Sequence, residues 1–135
     1  MSKSNGLGWT TLTVDDASGT PQAIKNDFTN LQFATPRAVF DVTGIDKFAI
    51  ERILGLADFS ITLNGPHDPA ANQSHAVFST VSSTQVNRTT AIVVNGKTMN
   101  NEVLYTDYPL TRTNSGEFTY AVPGVLGDGT VPTWS

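Results

Sequence analysis

Apolar and polar positions alternate along most of this chain. Phe59, Ile61 and Leu63 alternate with Ser60, Thr62 and Asn64, the period-two pattern of a strand with one buried face, and Asn64-Gly65-Pro66 ends it. Val86, Arg88, Thr90, Ile92 and Val94 alternate with Asn87, Thr89, Ala91 and Val93. Behind them Asn95-Gly96 is a strong hairpin signal, because both residues tolerate positive φ. The return strand is expected from about Thr98 to Tyr108, with Pro109 limiting ladder pairing at its end. Trp9 to Val14 predicts a first strand with Leu12 and Val14 on one face. Leu31 and Phe33 predict another that runs toward Pro36, and Phe118, Tyr120 and Val122 predict a last one after the Asn114-Ser115-Gly116 turn. A helix of about three turns is expected to start at Asp68-Pro69, a capping side chain followed by proline at the first helical position, with Ala70, Ser74, Val77, Phe78 and Val81 on its inner face.

The stretch from Arg37 to Gly65 departs from this pattern. It opens as a strand-like run (Val39, Phe40, Val42) and closes as the Phe59 to Leu63 strand. The connection from Gly44 to Asp58 runs to about a dozen residues, where antiparallel neighbours usually need ~2–5. It carries Phe48, Ile50, Ile53, Leu54 and Leu56, and this apolar surface has two possible destinations. Ala49, Ile50, Ile53 and Leu54 form one face of a single helical turn, begun by Asp46, that lids the chain's own sheet. Alternatively the segment projects and docks on another copy, since contiguous exposed apolar surface marks an interface. The tail after Val122 carries prolines, glycines and Trp134 and reads as an extended arm from Pro123 to Ser135. The Gly- and Ser-rich start, Met1 to Gly8, reads as a second arm.

Composition narrows the class. A chain of 135 residues is one domain, 1–135, and its strand formers and scattered Gly and Pro make it mainly β. Only 15% of residues are charged, which suits a protein whose surface is partly covered by partners. The net charge of −4 and the absence of any Lys/Arg-rich run argue against a grip on nucleic-acid phosphates, though not against DNA sliding past. With no cysteine, disulfides, iron–sulfur clusters and thiolate zinc sites are excluded. No signal peptide, anchor or long apolar run is found, so a protein that is cytosolic where it is made, without membrane association, is expected.

Candidate chemistry is sparse. His67, Asp68 and His75 are the one cluster of metal-ligand residue types, and Asp68 already has work as a helix cap. Asp15 with Asp16, and Asp41 with Asp46 and Glu51, read as solvated charges rather than acid/base couples. Gly124, Gly127 and Gly129 lack the spacing of a dinucleotide loop. No enzyme activity, metal or cofactor is expected.

The strings Phe40-Asp41-Val42-Thr43-Gly44-Ile45-Asp46-Lys47, Ala49-Ile50-Glu51-Arg52, Gly55 to Gly65, Asp107-Tyr108, Pro123-Gly124-Val125 and Gly127 to Pro132 resemble the tail tube proteins of long-tailed bacteriophages, over nearly the whole chain. The resemblance implies a β-sandwich or partial barrel flanked by one α-helix, forming homohexameric rings that stack into a hollow tail tube for double-stranded DNA. It implies inter-subunit contacts through the long loop, here Phe48, Ile50, Ile53, Leu54 and Leu56, and through the arms, here Trp134. Tape-measure, tail terminator and baseplate proteins are the implied partners and the virion tail the implied location. Ser60, Thr62 and Asn64 are then candidates to line the lumen, and six copies at −4 give a ring of −24 that repels duplex phosphates. The alternative from another class is a capsid decoration or carbohydrate-binding β-sandwich.

Overall fold

Asn95 and Gly96 take φ of 52° and 76°, the left-handed pair that a two-residue hairpin needs, and the strongest strands follow from that turn. The computed structural model describes residues 3–135. In chain order its elements are β1 (Trp9–Asp15), β2 (Pro21–Ala23), β3 (Asn30–Ala34), β4 (Arg37–Asp41), β5 (Arg52–Ala57) and β6 (Ser60–Pro66). The helix α1 (Ser74–Phe78) is followed by β7 (Arg88–Val94), β8 (Lys97–Tyr105), β9 (Leu110–Arg112) and β10 (Phe118–Leu126). Eight strands form one antiparallel sheet in the order β2-β1-β7-β8-β10-β6-β3, with β9 also on β10, while β4 and β5 pair only with each other. The large sheet curls until its ends face: Trp9 of β1 meets Phe33 of β3 edge-on, ring centroids 6.3 Å apart. This is the expected β-sandwich or partial barrel with one helix.

Inward-facing residues of this sheet make a single core with Ile61 and Leu63 of β6, Phe59 just before it, Leu12 and Val14 of β1, Ile92, Met99, Val103, Tyr120 and Val122, closed by Val77 and Phe78 of α1. The core also holds a charge. Arg88 is 2% exposed, and its guanidinium donates to the Asp15 and Val77 carbonyls (3.2 and 2.8 Å) and to Thr80 Oγ1 and Thr84 Oγ1 (2.9 and 3.3 Å). Those four bonds tie the loop after α1 to the sheet, and desolvation pulls the Arg88 pKa below its ordinary value.

Several expectations need correction. The helix spans only Ser74–Phe78, because Asn72 takes a left-handed φ of 63° that no helix continues through. Asp68 is not its cap: its Oδ1 accepts from Ala70 N (3.1 Å) and makes a local turn. The first helical N–H, Ser74 N, instead donates to Asp27 Oδ2 (2.9 Å) across 47 residues of sequence. The return strand β8 stops at Tyr105, and a separate short β9 follows Pro109.

The C-terminal arm begins later than Pro123, since residues 123–126 lie inside β10. Proline is tolerated there because β10 changes neighbour at that point: Phe118–Tyr120 pair with β9, Gly124–Leu126 with β8, and Pro123 falls between. The Pro123 carbonyl accepts from Thr106 N (3.2 Å), so its missing N–H faces the same gap between ladders. Beyond it, the chain folds back on itself. Ser135 and Thr98 exchange backbone hydrogen bonds (2.9 Å each), and Trp134 lies against Phe33, centroids 5.8 Å apart. Of the N-terminal arm, residues 1 and 2 lie outside the described residues. Ser4 and Asn5 are held by Asn95 Nδ2 (3.1 and 2.9 Å).

Burial pushes the Asp27 carboxyl above the usual carboxylate range, neighbouring Asp68 adds to this, and the Ser74 N–H opposes it. A folded-state pKa above the unfolded one favours the protonated group, so this contribution is present at low pH and lost as pH rises through the folded value. Asp27→Asn keeps an acceptor for Ser74 without needing a proton. It should be more stable than the native chain at pH 7, and the advantage should vanish below about pH 4. Asp27→Ala should trail Asp27→Asn by ~1 kcal/mol for want of a cap. Urea denaturation at both pH values checks this; parallel pH profiles for native and Asp27→Asn proteins would refute it.

Candidate assembly interface

Between Ala34 and Ser60, which pair across β3 and β6, the chain makes an excursion that leaves the core altogether. The segment expected as a loop over 44–58 is the second half of a β-ribbon: β5 occupies Arg52–Ala57, and only residues 42–51 form the irregular tip. The alternative helical turn from Asp46 does not form. Gly44 to Lys47 is a tight turn closed by Lys47 N to the Gly44 carbonyl (3.1 Å), and Ile53 and Leu54 pair in extended register with Phe40 and Val39. Strand propensity of the β-branched and aromatic residues, with register partners supplied by β4, overrides the helical spacing.

The ribbon is apolar on both faces. Cross-strand partners share a face, so Phe40 and Ile53 lie on one side and Val39 and Leu54 on the other. All four are more than half exposed, as are Ile50 and Leu56, while Ile45 and Phe48 at the tip are wholly exposed. The loop residues predicted for inter-subunit contact, Phe48, Ile50, Ile53, Leu54 and Leu56, are thus gathered on one projecting arm. Trp134 is not with them; it is 48% exposed and spends its other half on Phe33 of its own chain.

Local polar contacts order this arm. Arg37 donates through Nε and Nη2 to the Gly55 carbonyl (3.1 and 2.7 Å). Gly55 itself sits under the Phe40 ring: a Cβ there would come within 2.3 Å of Phe40, so only glycine lets the ring lie flat across the ribbon. At the tip, Thr43 Oγ1 donates to Asp41 Oδ1 (2.6 Å) and accepts from Glu51 N (2.8 Å), and the Thr43 bonds hold the Asp41 carboxyl below its ordinary pKa.

Ser60, Thr62 and Asn64 point away from the core. They oppose Ala34, Gln32 and Asn30 of β3 on one side and Val125, Pro123 and Ala121 of β10 on the other. Their neighbours Phe59, Ile61 and Leu63 are buried. The outward positions of β1, β7 and β8 are mostly small and polar, with Thr11, Thr13, Thr89, Ala91, Thr98 and Asn100 beside the half-buried Val93 and Leu104; the charged ones among them are Asp15 and Glu102. Burial raises the Asp15 pKa, with Glu102 adding to it against the Thr89 bonds.

The His67 and His75 rings lie 4.8 Å apart and His75 Nδ1 meets Tyr108 OH at 3.1 Å, yet among the described residues no group of three or more His, Cys, Asp or Glu is arranged for a metal ion. Among the described residues no helix is long and apolar enough to cross a membrane. Arg88 and Asp27 were missed by sequence reasoning as interior polar anchors, since only their long-range partners distinguish them from surface charges.

A two-stranded ribbon without a covering layer is marginal in water. In the isolated subunit, amides of Phe40 and Ile53 should therefore exchange far faster than those of Leu63 and Val122, and Thr43→Ala should speed them further. Hydrogen exchange followed by mass spectrometry reads this; protection in the ribbon equal to that in β6 would contradict an unsupported arm.

By sequence the chain matches no protein-family model and no curated protein. By structure it is similar to a chain from the tail of an empty gene transfer agent (GTA) particle with C6 symmetry, at a TM-score of 0.77 and 16% identity, over 98% of this chain and 99% of that one. It is also similar to a chain of the virion of a native gene transfer agent particle, at a TM-score of 0.74 and 14% identity, over 98% and 99%. Both likenesses extend end to end, so the fold of this protein is one found in the tail of a phage-like particle.

Proposed function

We propose that this protein is the tail tube subunit of a phage-like virion. Copies form homohexameric rings that stack into a hollow tube, and the tube conducts double-stranded DNA from the particle into the host. The observation that carries this reading is the ribbon: a chain with a complete core of its own holds out an arm that is apolar on both faces, on a fold shared with a gene transfer agent tail. Covering a large apolar side chain contributes on the order of 1.5–3 kcal/mol, so a handful of arm residues per copy suffices to drive assembly.

The outward sheet surface supports the conduit role. Along β3 and β6 the outward side chains are short and uncharged, and at the outward positions of β1, β7 and β8 the only charges are carboxylates, which offer duplex phosphates nothing to bind. Ser60, Thr62 and Asn64 are the proposed lumen-lining positions. Tape-measure, terminator and baseplate proteins would complete the tail, and contact with DNA would be transient and non-specific. The protein would be made in the host cytoplasm, reside in the virion tail and act without catalysis.

Purified protein should form hollow tubes in negative-stain microscopy. Ile53→Asp should leave a subunit whose thermal unfolding is nearly unchanged, since surface substitutions cost within about 0.5 kcal/mol, yet which forms no tubes. Tubes of native length from that variant would overturn the docking role of the arm. Thr62→Lys should assemble normally and slow DNA ejection from reconstituted particles; unaltered ejection would place Thr62 away from the lumen.

A further inference from the structure

We infer that, within each single chain, His67 and His75 form a binding site for a divalent transition cation of the zinc class, which staples helix α1 to the end of β6. Both side chains are partly buried, and their imidazole rings lie 4.8 Å apart at an interplanar angle of 59°. Rings inclined in this way are not stacked face to face, and one nitrogen of each can converge on an ion at ~2.0–2.1 Å. His67 is held from the strand side: its backbone N–H donates to the Phe118 carbonyl (2.9 Å), and its ring lies 4.7 Å from that of Phe118. His75 is held from the helix side, its backbone N–H donating to the Asp68 carbonyl (3.2 Å).

Tyr108 sets the orientation of the second imidazole, its OH lying 3.1 Å from His75 Nδ1. Burial pushes the Tyr108 pKa up, so the oxygen stays a neutral phenol that can accept the Nδ1 proton. In that tautomer Nε2 carries the lone pair, and a ligating histidine typically has its other nitrogen donating to an oxygen in this way. Charge around the pair favours a cation. Asp68 follows His67, Asp107 precedes Tyr108 and Glu117 precedes Phe118, against one Arg112, which opposes Phe118 across β9 and β10. Among the described residues no third His, Cys, Asp or Glu completes the set, so water takes the remaining positions and the ion is exchangeable. Imidazole nitrogens suit zinc, copper and nickel, whereas magnesium and calcium demand oxygen. Strand β6 ends at Pro66 and α1 begins at Ser74, so the ion closes the turn over 67–75 and fixes the helix whose Val77 and Phe78 cover the core.

Simple ring packing would bring the two histidines equally close, and phenylalanine separates the two readings because it keeps a flat ring and removes the nitrogens. Untagged protein titrated with zinc chloride should bind it one-to-one in calorimetry. Zinc at about a hundred times its Kd should lower the unfolding equilibrium constant about 100-fold in a urea titration. Magnesium chloride at the same concentration should do neither. His67→Phe and His75→Phe should each keep the circular dichroism and metal-free stability of the native chain and lose the zinc response; if either fails to fold, the glutamine variant at that position takes its place. Tyr108→Phe, which removes the acceptor and keeps the ring, should bind zinc about 10- to 100-fold more weakly. No binding and no stabilisation by zinc, equal stabilisation by magnesium, or a zinc response that survives both histidine substitutions would overturn the site, and undiminished affinity in Tyr108→Phe would refute the positioning role of Tyr108.

Discussion

One backbone hydrogen bond divides this molecule into a part that is finished and a part that is not. Asp58 N donates to the Pro36 carbonyl (2.9 Å) where the arm leaves and rejoins the domain. On the inner side of that neck, Asp58 Oδ1 accepts from Phe59 N (2.7 Å), Phe59 is fully buried, and its carbonyl accepts from Leu126 N (2.9 Å). The neck is thus fixed to β6 and β10, the middle of the sheet. On the outer side nothing of the large sheet continues, and β4 and β5 have only each other. Apolar residues beyond the neck cannot reach the core they would otherwise join. Their surface stays available for another molecule.

Holding such a ribbon in shape before it binds lowers the entropic cost of binding. Three contacts do this: the Arg37 fork on the Gly55 carbonyl, the Phe40 ring over Gly55, and the Thr43 bridge between Asp41 and Glu51. None of them buries the apolar faces. They order the backbone and leave the side chains open, which is the arrangement expected of an interface element rather than of an unfinished core. The outward positions of β3 and β6 are built on the opposite plan, with Asn30, Gln32 and Ala34 beside Ser60, Thr62 and Asn64 where a docking surface would carry aromatic and aliphatic groups.

Much of the fold was legible because strand signals are local. The alternation through Phe59 to Leu63, the Asn95-Gly96 turn and the inward Leu12 and Val14 all fall where periodicity and turn chemistry place them. The failures share one cause, which is a partner far away in sequence. Helix α1 starts at Ser74 because Asp27 caps it, not at Asp68-Pro69, where the local signal is strong. Pro123 is accommodated because β10 exchanges β9 for β8 at that residue, which no window of sequence displays. In the arm, the apolar spacing of Ala49 to Leu54 fits a helical turn, and only pairing with Val39 and Phe40 makes it extended. The candidate interface residues were identifiable as a group, since excess apolar content in a long connection is visible without knowing its shape. Trp134 was legible as an apolar tip in need of a dock, but Phe33 of the same chain supplies half of that dock.

The two-faced character of the ribbon also limits which assemblies can satisfy it. In a two-fold dimer, arm against arm, each ribbon would cover the Phe40 and Ile53 side of its partner or the Val39 and Leu54 side, and the other face would remain in water. Burying both faces takes two neighbours per arm, or one neighbour that surrounds it. The stacked rings proposed above would provide this, if each arm crossing the junction lay between two copies. In the tube proposed above, the arm would serve as the joint between copies and the polar face of β3 and β6 as the wall. The acidic net charge of the chain is compatible with that proposal, since repulsion between like-charged copies opposes contacts other than the apolar ones of the arm.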